Sequence, residues 1–268
     1  MTDDVDQQSK KCLVCADDYA HSPETSAKIA ELLEAGVINA TSCLVESPCW
    51  PEESERLSRG AIGQRFAIGL HLNLTEQLGG SRRSPISPAR LALDHSASFE
   101  EEILARFLEQ WDSFTQAFGD HPQFIDGHQH VHLAPAPRAA VFRLIDEVAF
   151  TGWLRQCRTS SSRAIGKRLV LDHLSDALSA EAEARGVPCN PGFGGLRRFR
   201  SDEDVLALWT RDLTGMRRGG VLMVHPGAET NGDGIGPCRV QEATLFPALQ
   251  HKLAELGFER EWDPRLGW

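Results

Sequence analysis

The chain lacks any apolar run approaching a membrane span, which needs about 20 consecutive predominantly apolar residues. Positive charge is scarce: 28 Lys and Arg stand against 38 Asp and Glu, for a formal net charge of −10 and a pI near 5.5. Binding a phosphate backbone needs a concentrated basic surface, so nucleic acid is not expected as a partner. A neutral or cationic small substrate is compatible with this charge. Internal repeats and linkers are missing too, so the 268 residues read as a single domain behind a flexible tail at residues 1–10. Seven cysteines, at 12, 15, 43, 49, 157, 189 and 238, make an odd count. With no signal-peptide pattern at the start, they point to reduced thiols and a cytoplasmic location. Cys12 and Cys15 spell C-x-x-C, but residues three apart in a buried strand face opposite sides, so the pair is not expected to chelate one ion.

What is present reads as alternating strands and helices. Hydrophobic residues make up 41% of the chain, enough at this length to bury a large core without disulfides. Cys12–Cys15 reads as a buried strand, followed by a helix that Ser22 caps, with Pro23 at its first position and a stop at Gly36. Residues 37–45 read as a second strand and 52–65 as a polar helix. From Ala67 to Thr75, leucines alternate with His71, Asn73 and Thr75, the period of a strand. A long loop over 76–97 precedes an amphipathic helix opened by a capping box of Ser98 and Glu101. Ile103, Leu104, Phe107, Leu108, Trp111 and Phe114 form its apolar face. Further helices are expected over 137–148, 169–185, 201–213 (capped by Ser201) and 240–256, with strands at 153–157 and 221–224. This alternation predicts an α/β fold of parallel strands covered by helices.

Histidine is concentrated in one place. Asp126, His128, His130 and His132 fall at alternate positions, and in an extended strand they share one face. Imidazole is both the commonest neutral metal ligand and the commonest general acid or base. Three other predicted strands also end in polar groups: Asp17-Asp18, His71, and His225 before Pro226-Gly227. In α/β barrels catalytic groups gather at the C-terminal ends of strands, so four such ends argue for a shared site. Two histidines and a carboxylate leave open positions on a divalent ion; a second carboxylate can serve as general base and a further histidine as general acid. Arg155 and Arg158 follow a predicted strand, where they could contact substrate, orient Asp17 or lie on the surface. Trp153, Phe193 and Trp209 could stack on a ring or pack in the core, core packing being the commoner use.

Cys15-Ala16-Asp17-Asp18-Tyr19, Gly69-Leu70-His71-Leu72-Asn73-Leu74-Thr75, Ile125 through His132 and Val224-His225-Pro226-Gly227 resemble, in order, the four motifs of the YdjC-like carbohydrate deacetylases. The resemblance implies an irregular (β/α) TIM-like barrel that removes an acetyl group, N-linked foremost, from a sugar. It implies one divalent ion, magnesium or zinc, with Asp18, His71 and His128 at the ligand positions. Asp17 falls at the proton acceptor for the attacking water and His225 at the group that protonates the leaving amine. His130 and His132 would then support the site or face substrate, and Asp126 would orient His128. A homodimer is the expectation carried by the same likeness. The chain departs from the usual pattern at Cys15, at Tyr19-Ala20-His21 and at Gly127. None of these removes an implied ligand, and His21 and Tyr19 bear on substrate preference. The rivals are an amidohydrolase-type hydrolase with a bridged metal pair, suggested by His128-Gln129-His130, and a non-catalytic metal- or sugar-binding barrel.

Overall fold

Eight residues, Cys12–Tyr19, form β1, and every one of them is buried. A strand covered on both faces is what a parallel sheet flanked by helices requires. The computed structural model describes residues 10–59, 65–80, 83–159, 166–230 and 233–259. Around β1 stand β2 (Ala40–Cys43), β3 (Ala67–Leu72), β4 (Phe124–Gly127), β5 (Trp153–Leu154), β6 (Phe193–Gly194) and β7 (Gly220–Val224). Their order is β5-β4-β3-β2-β1-β7-β6, and every pairing is parallel. The residues leading into β6 also reach β5: Leu154 donates its N–H to the Pro188 carbonyl at 2.9 Å, and Thr159 bridges to Phe193. The strands therefore curl into an irregular α/β barrel, the architecture expected from the sequence. The tail at residues 1–9 lies outside the described residues.

Helices α1 (Pro23–Glu34), α2 (Trp50–Arg59), α3 (Pro88–Leu93), α4 (Ala97–Phe118), α5 (Pro135–Val148), α6 (Lys167–Arg185), α7 (Val205–Thr214) and α8 (Gly236–Glu255) follow the strands. Ser22 caps α1 as expected, its side chain accepting the Thr25 N–H. Two other caps differ. Ser96, not Ser98, accepts the Phe99 N–H to open α4, and Asp204, not Ser201, accepts the Ala207 N–H to open α7. In each case the capping side chain sits three residues before the N–H it accepts, the reach a cap demands. The loop over 76–97 contains the short helix α3, and α8 begins at Gly236 rather than 240. No helix among the described residues is long and apolar enough to cross a membrane. The cysteines are free thiols.

Two local features set up the strand ends. Ala16 pairs with Thr41 and Tyr19 with Cys43, so β1 carries one extra residue there, and Asp18 takes a left-handed φ of 66°. Such a bulge re-aims side chains, which lets adjacent Asp17 and Asp18 face different partners. Inside the barrel, Phe124 lies flat against Trp153, ring centroids 4.5 Å apart, in the space above Gly69. A Cβ at Gly69 would stand 2.4 Å from the Phe124 ring. Trp153 thus packs in the core, as does Trp209 against Phe246.

Candidate active site

The histidine segment is not the extended strand its alternation suggests. β4 ends at Gly127, and His128–Leu133 form a tight 3-10 turn in which Gln129 and His130 adopt left-handed φ of 51° and 60°. The four polar side chains therefore do not share a face, and each goes its own way. His128 points to Asp18, its Nδ1 3.0 Å from Oδ1. His130 places Nδ1 3.4 Å from the Cys157 thiol, with Phe193 edge-on to its ring. His132 is buried, its Nε2 2.8 Å from the Arg155 carbonyl. Asp126 pairs with His71, not with His128: its Oδ1 is 2.6 Å from His71 Nδ1. The cause is register, since β3 and β4 pair His71 directly with Asp126.

Asp18, His71 and His128 each offer one ligand atom, and the three lie within 4.8 Å of one another, all buried. His71 Nε2 stands 3.3 Å and His128 Nδ1 3.0 Å from the same Asp18 oxygen. The outer nitrogen of each ring meets a carboxylate: Asp126 for His71, and Glu76 Oε2 at 2.7 Å for His128. Carboxylates on the far side of ligating histidines fix ring orientation and raise ligand basicity. The donor set thus fits a divalent ion bound by two imidazoles and one carboxylate. Burial depresses the basicity of both rings. Asp126, Asp18 and Asp17 together outweigh it at His71, raising the pKa to about 10, and Asp18 and Glu76 together outweigh it at His128, raising it to about 9. Without an ion, both rings hold a proton at neutral pH and pair with the carboxylates.

Arg155 organises the neighbouring wall. Its guanidinium donates to both oxygens of Asp17, at 2.6 and 2.8 Å, and stands 2.6 Å from Asp126 Oδ2. Burial alone would push the Asp17 carboxyl up, but the Arg155 charge and hydrogen bonds hold it well below the usual range. Asp17, His71 and Asp126 form a second tight acidic cluster, yet a cation already occupies it in the form of Arg155. Arg158, by contrast, is exposed and pairs with Asp176.

His225 closes the opposite side from the end of β7. Burial lowers its basicity, so the ring is neutral at rest, and its Nδ1 is buried without a partner. Its backbone N–H donates to Glu242 on α8. Asp17, Asp18, His71, His128, His130 and His225 all line a cleft of about 280 Å³. A larger hollow of about 1000 Å³ runs past Arg158, Asp172 and Cys189, but the Asp and His groups brought together here do not line it.

Sequence reasoning missed several members of the site. Arg239 on α8 donates to Asp18 Oδ2 at 2.7 Å across 221 positions of chain, and no local pattern marks it. Glu76 directly follows the Gly69–Thr75 motif, so its position was a usable signal. His21, one of the departures noted above, lies 3.2 Å from the other Glu76 oxygen. Ser42 on β2 joins Asp17 and His71, at 3.3 and 3.1 Å.

The fold and the site together define an α/β barrel protein with a buried Asp-His-His cluster able to hold a metal ion at its strand ends. The chain belongs to the family described as YdjC-like protein, whose sequence model matches residues 11–263. A carbohydrate deacetylase of Enterococcus faecalis is 28% identical over 69% of this chain and 82% of its own length. A chitooligosaccharide deacetylase of Escherichia fergusonii is 27% identical over 68% and 81%. A human carbohydrate deacetylase is 28% identical over 93% and 88%. Among solved structures, an Enterococcus faecalis protein provisionally described as a cellobiose-phosphate cleavage protein superposes with a TM-score of 0.70. It covers 97% of this chain and all of its own, and at 20% identity it speaks for the fold alone.

Proposed function

We propose that this chain is a metal-dependent carbohydrate deacetylase that hydrolyses an acetyl group, N-linked foremost, from a sugar. The observation that carries this reading is the placement of Asp18, His71 and His128 around one point, beside Asp17 and His225, in a single cleft. Relatives named as carbohydrate and chitooligosaccharide deacetylases support it. A magnesium or zinc ion held by Asp18, His71 and His128 would supply Lewis acidity toward the acetyl carbonyl and the attacking water. Asp17 is ionised across the neutral range and fixed in orientation by Arg155, so it is ready to take the proton of that water. As water oxygen bonds to the carbonyl carbon, the carbon–nitrogen bond breaks, and the amine leaves with a proton from His225. His225 is neutral at rest, so the proton it gives the amine is the one Asp17 takes from the water, passed on through His225, and both groups end the step as they began it.

A mononuclear site is favoured over the amidohydrolase-type pair. The carboxylates that a second ion would need, Asp17 and Asp126, already neutralise Arg155. Elemental analysis of the purified protein, paired with acetate release from a panel of acetylated sugars, tests the reading. One ion per chain with acetate release is expected. Two ions, or metal without acetate from any sugar, would reject it.

A further inference from the structure

Among the described residues, six other than glycine adopt left-handed backbone: Asp18, Ala20, Gln129, His130, Ala149 and Phe199. Four of the six, Asp18, Gln129, His130 and Phe199, line the cleft. Strain of this kind collects where a structure holds functional groups in place. Asp18 and the histidine turn are accounted for by the cluster they build. Phe199 has no place in that chemistry, and its φ of 55° is the most costly of the set for a bulky side chain.

The chain spends several interactions to keep this ring where it is. The carboxylate of Glu203 accepts the N–H of Arg198 at 2.9 Å and that of Arg200 at 3.0 Å, pinning the backbone on both sides of Phe199. Buried Arg197 lies over one face of the ring, 5.3 Å from its centroid, and is itself fixed by Glu242 at 2.9 Å. Glu242 also holds the backbone of His225, and the Phe199 ring stands edge-to-face with the His225 ring at 4.9 Å. The ring is only partly buried, and it lines the cleft together with Leu196, Met223 and Ile235, facing the same space as Asp17, Asp18 and the histidines. A flat, partly exposed aromatic surface pinned on both sides and set beside polar groups suits a sugar, whose ring presents an apolar C–H face and a polar rim.

From this clamp we infer that Phe199 is the specificity-determining platform on which the sugar ring bearing the acetyl group stacks, orienting the scissile bond between Asp17 and His225. The inference rests on the carbohydrate reading and adds the residue that recognises the sugar. Wild type, Phe199→Leu and Phe199→Tyr are assayed for acetate release from an N-acetylated chito-oligosaccharide and from 4-nitrophenyl acetate, an acyl ester with no sugar ring. Phe199→Leu is expected to lower the ratio of kcat/KM for the sugar to that for the ester by about three- to tenfold, the scale of an aromatic contact. Phe199→Tyr, which keeps the flat face, is expected to retain the ratio. Should the leucine variant fail to fold, Phe199→Met takes its place. An equal loss on both substrates would mean that the ring only orders His225, and would overturn the platform; an unchanged ratio would do the same. A wild type that releases acetate from no acetylated sugar overturns the carbohydrate reading before any variant is compared, and the platform falls with it.

Discussion

Asp17 and Asp126 share the guanidinium of Arg155, and both carboxylates are buried. Asp17→Asn keeps the volume, gives up one of the two hydrogen bonds from Arg155 and leaves Asp18, His71 and His128 in place, so the variant should retain its ion while kcat falls about 10²- to 10⁴-fold, the range for losing a general base. Near-normal turnover would remove Asp17 from that role. Asp18→Ala, His71→Ala and His128→Ala should instead lose both ion and turnover. Retention of stoichiometric metal in all three would show that the ligands lie elsewhere. Protonation adds a pH signature. His71 moves from 6.5 to about 10 and His128 from 6.5 to about 9 in the metal-free protein. Raised pKa values mean that their contribution to stability is complete below pH 6.5 and is lost as pH rises through 9 to 10. An ion must displace those protons, so metal affinity should climb over the same interval in which the metal-free protein loses thermal stability. Calorimetric titrations in buffers of different ionisation enthalpy, with melting curves under chelator, check both directions. Asp17, Asp18, His71 and His225 could be picked out as candidates because each lies at or just past the end of a strand whose pattern is plain, and His128 by residue type alone, since the extended stripe around it is a turn. Arg239 was not, because what identifies it is a distance across the fold, and a helical arginine carries no mark of its partner.

At the scale of elements, alternation in the sequence did not translate into a strand at His128–Leu133. Consecutive left-handed residues turn the chain immediately after Gly127, sending His128 into the site and His132 beneath Arg155. Alternation was reliable only where both faces meet packed neighbours, as from Ala67 to Leu72. Caps were misplaced by a few residues because more than one capping side chain stands before each helix, Ser96 and Ser98 at one and Ser201, Asp202 and Asp204 at the other, and only backbone geometry selects which one accepts a hydrogen bond. β3 depends on the space above Gly69. Gly69→Ala would drive a methyl group into the Phe124 ring and disturb its stacking on Trp153. The expected cost is about 1–3 kcal/mol in denaturant unfolding. His71 lies two residues on along the same face, so metal affinity should fall with it. Unchanged affinity would show that the aromatic layer and the site are mechanically independent.

For the molecule as a whole, the segment from Pro188 to Gly194 links the two edge strands of the curled sheet. The Asn190 side chain accepts the Gln156 N–H at 2.8 Å and donates to the Gln156 and Gly192 carbonyls at 3.1 and 2.8 Å. Asn190→Ala would leave the buried Gln156 N–H and carbonyl without this partner, while the Gly192 carbonyl keeps the Val221 N–H, and a loss of about 2–4 kcal/mol in unfolding free energy is expected. A loss below about 1 kcal/mol would indicate that water replaces the amide without penalty. This segment also has a bearing on assembly. A sheet that stops at a bare flank offers its unpaired N–H and C=O groups as a template for a strand from another copy. Here the two flanking strands turn toward each other, and residues 188–193 take up the groups between them. Among the described residues, a strand from another copy would therefore have to compete at these flanks with partners from the same chain, Pro188 and Cys189 at Leu154 and Phe193 at Thr159.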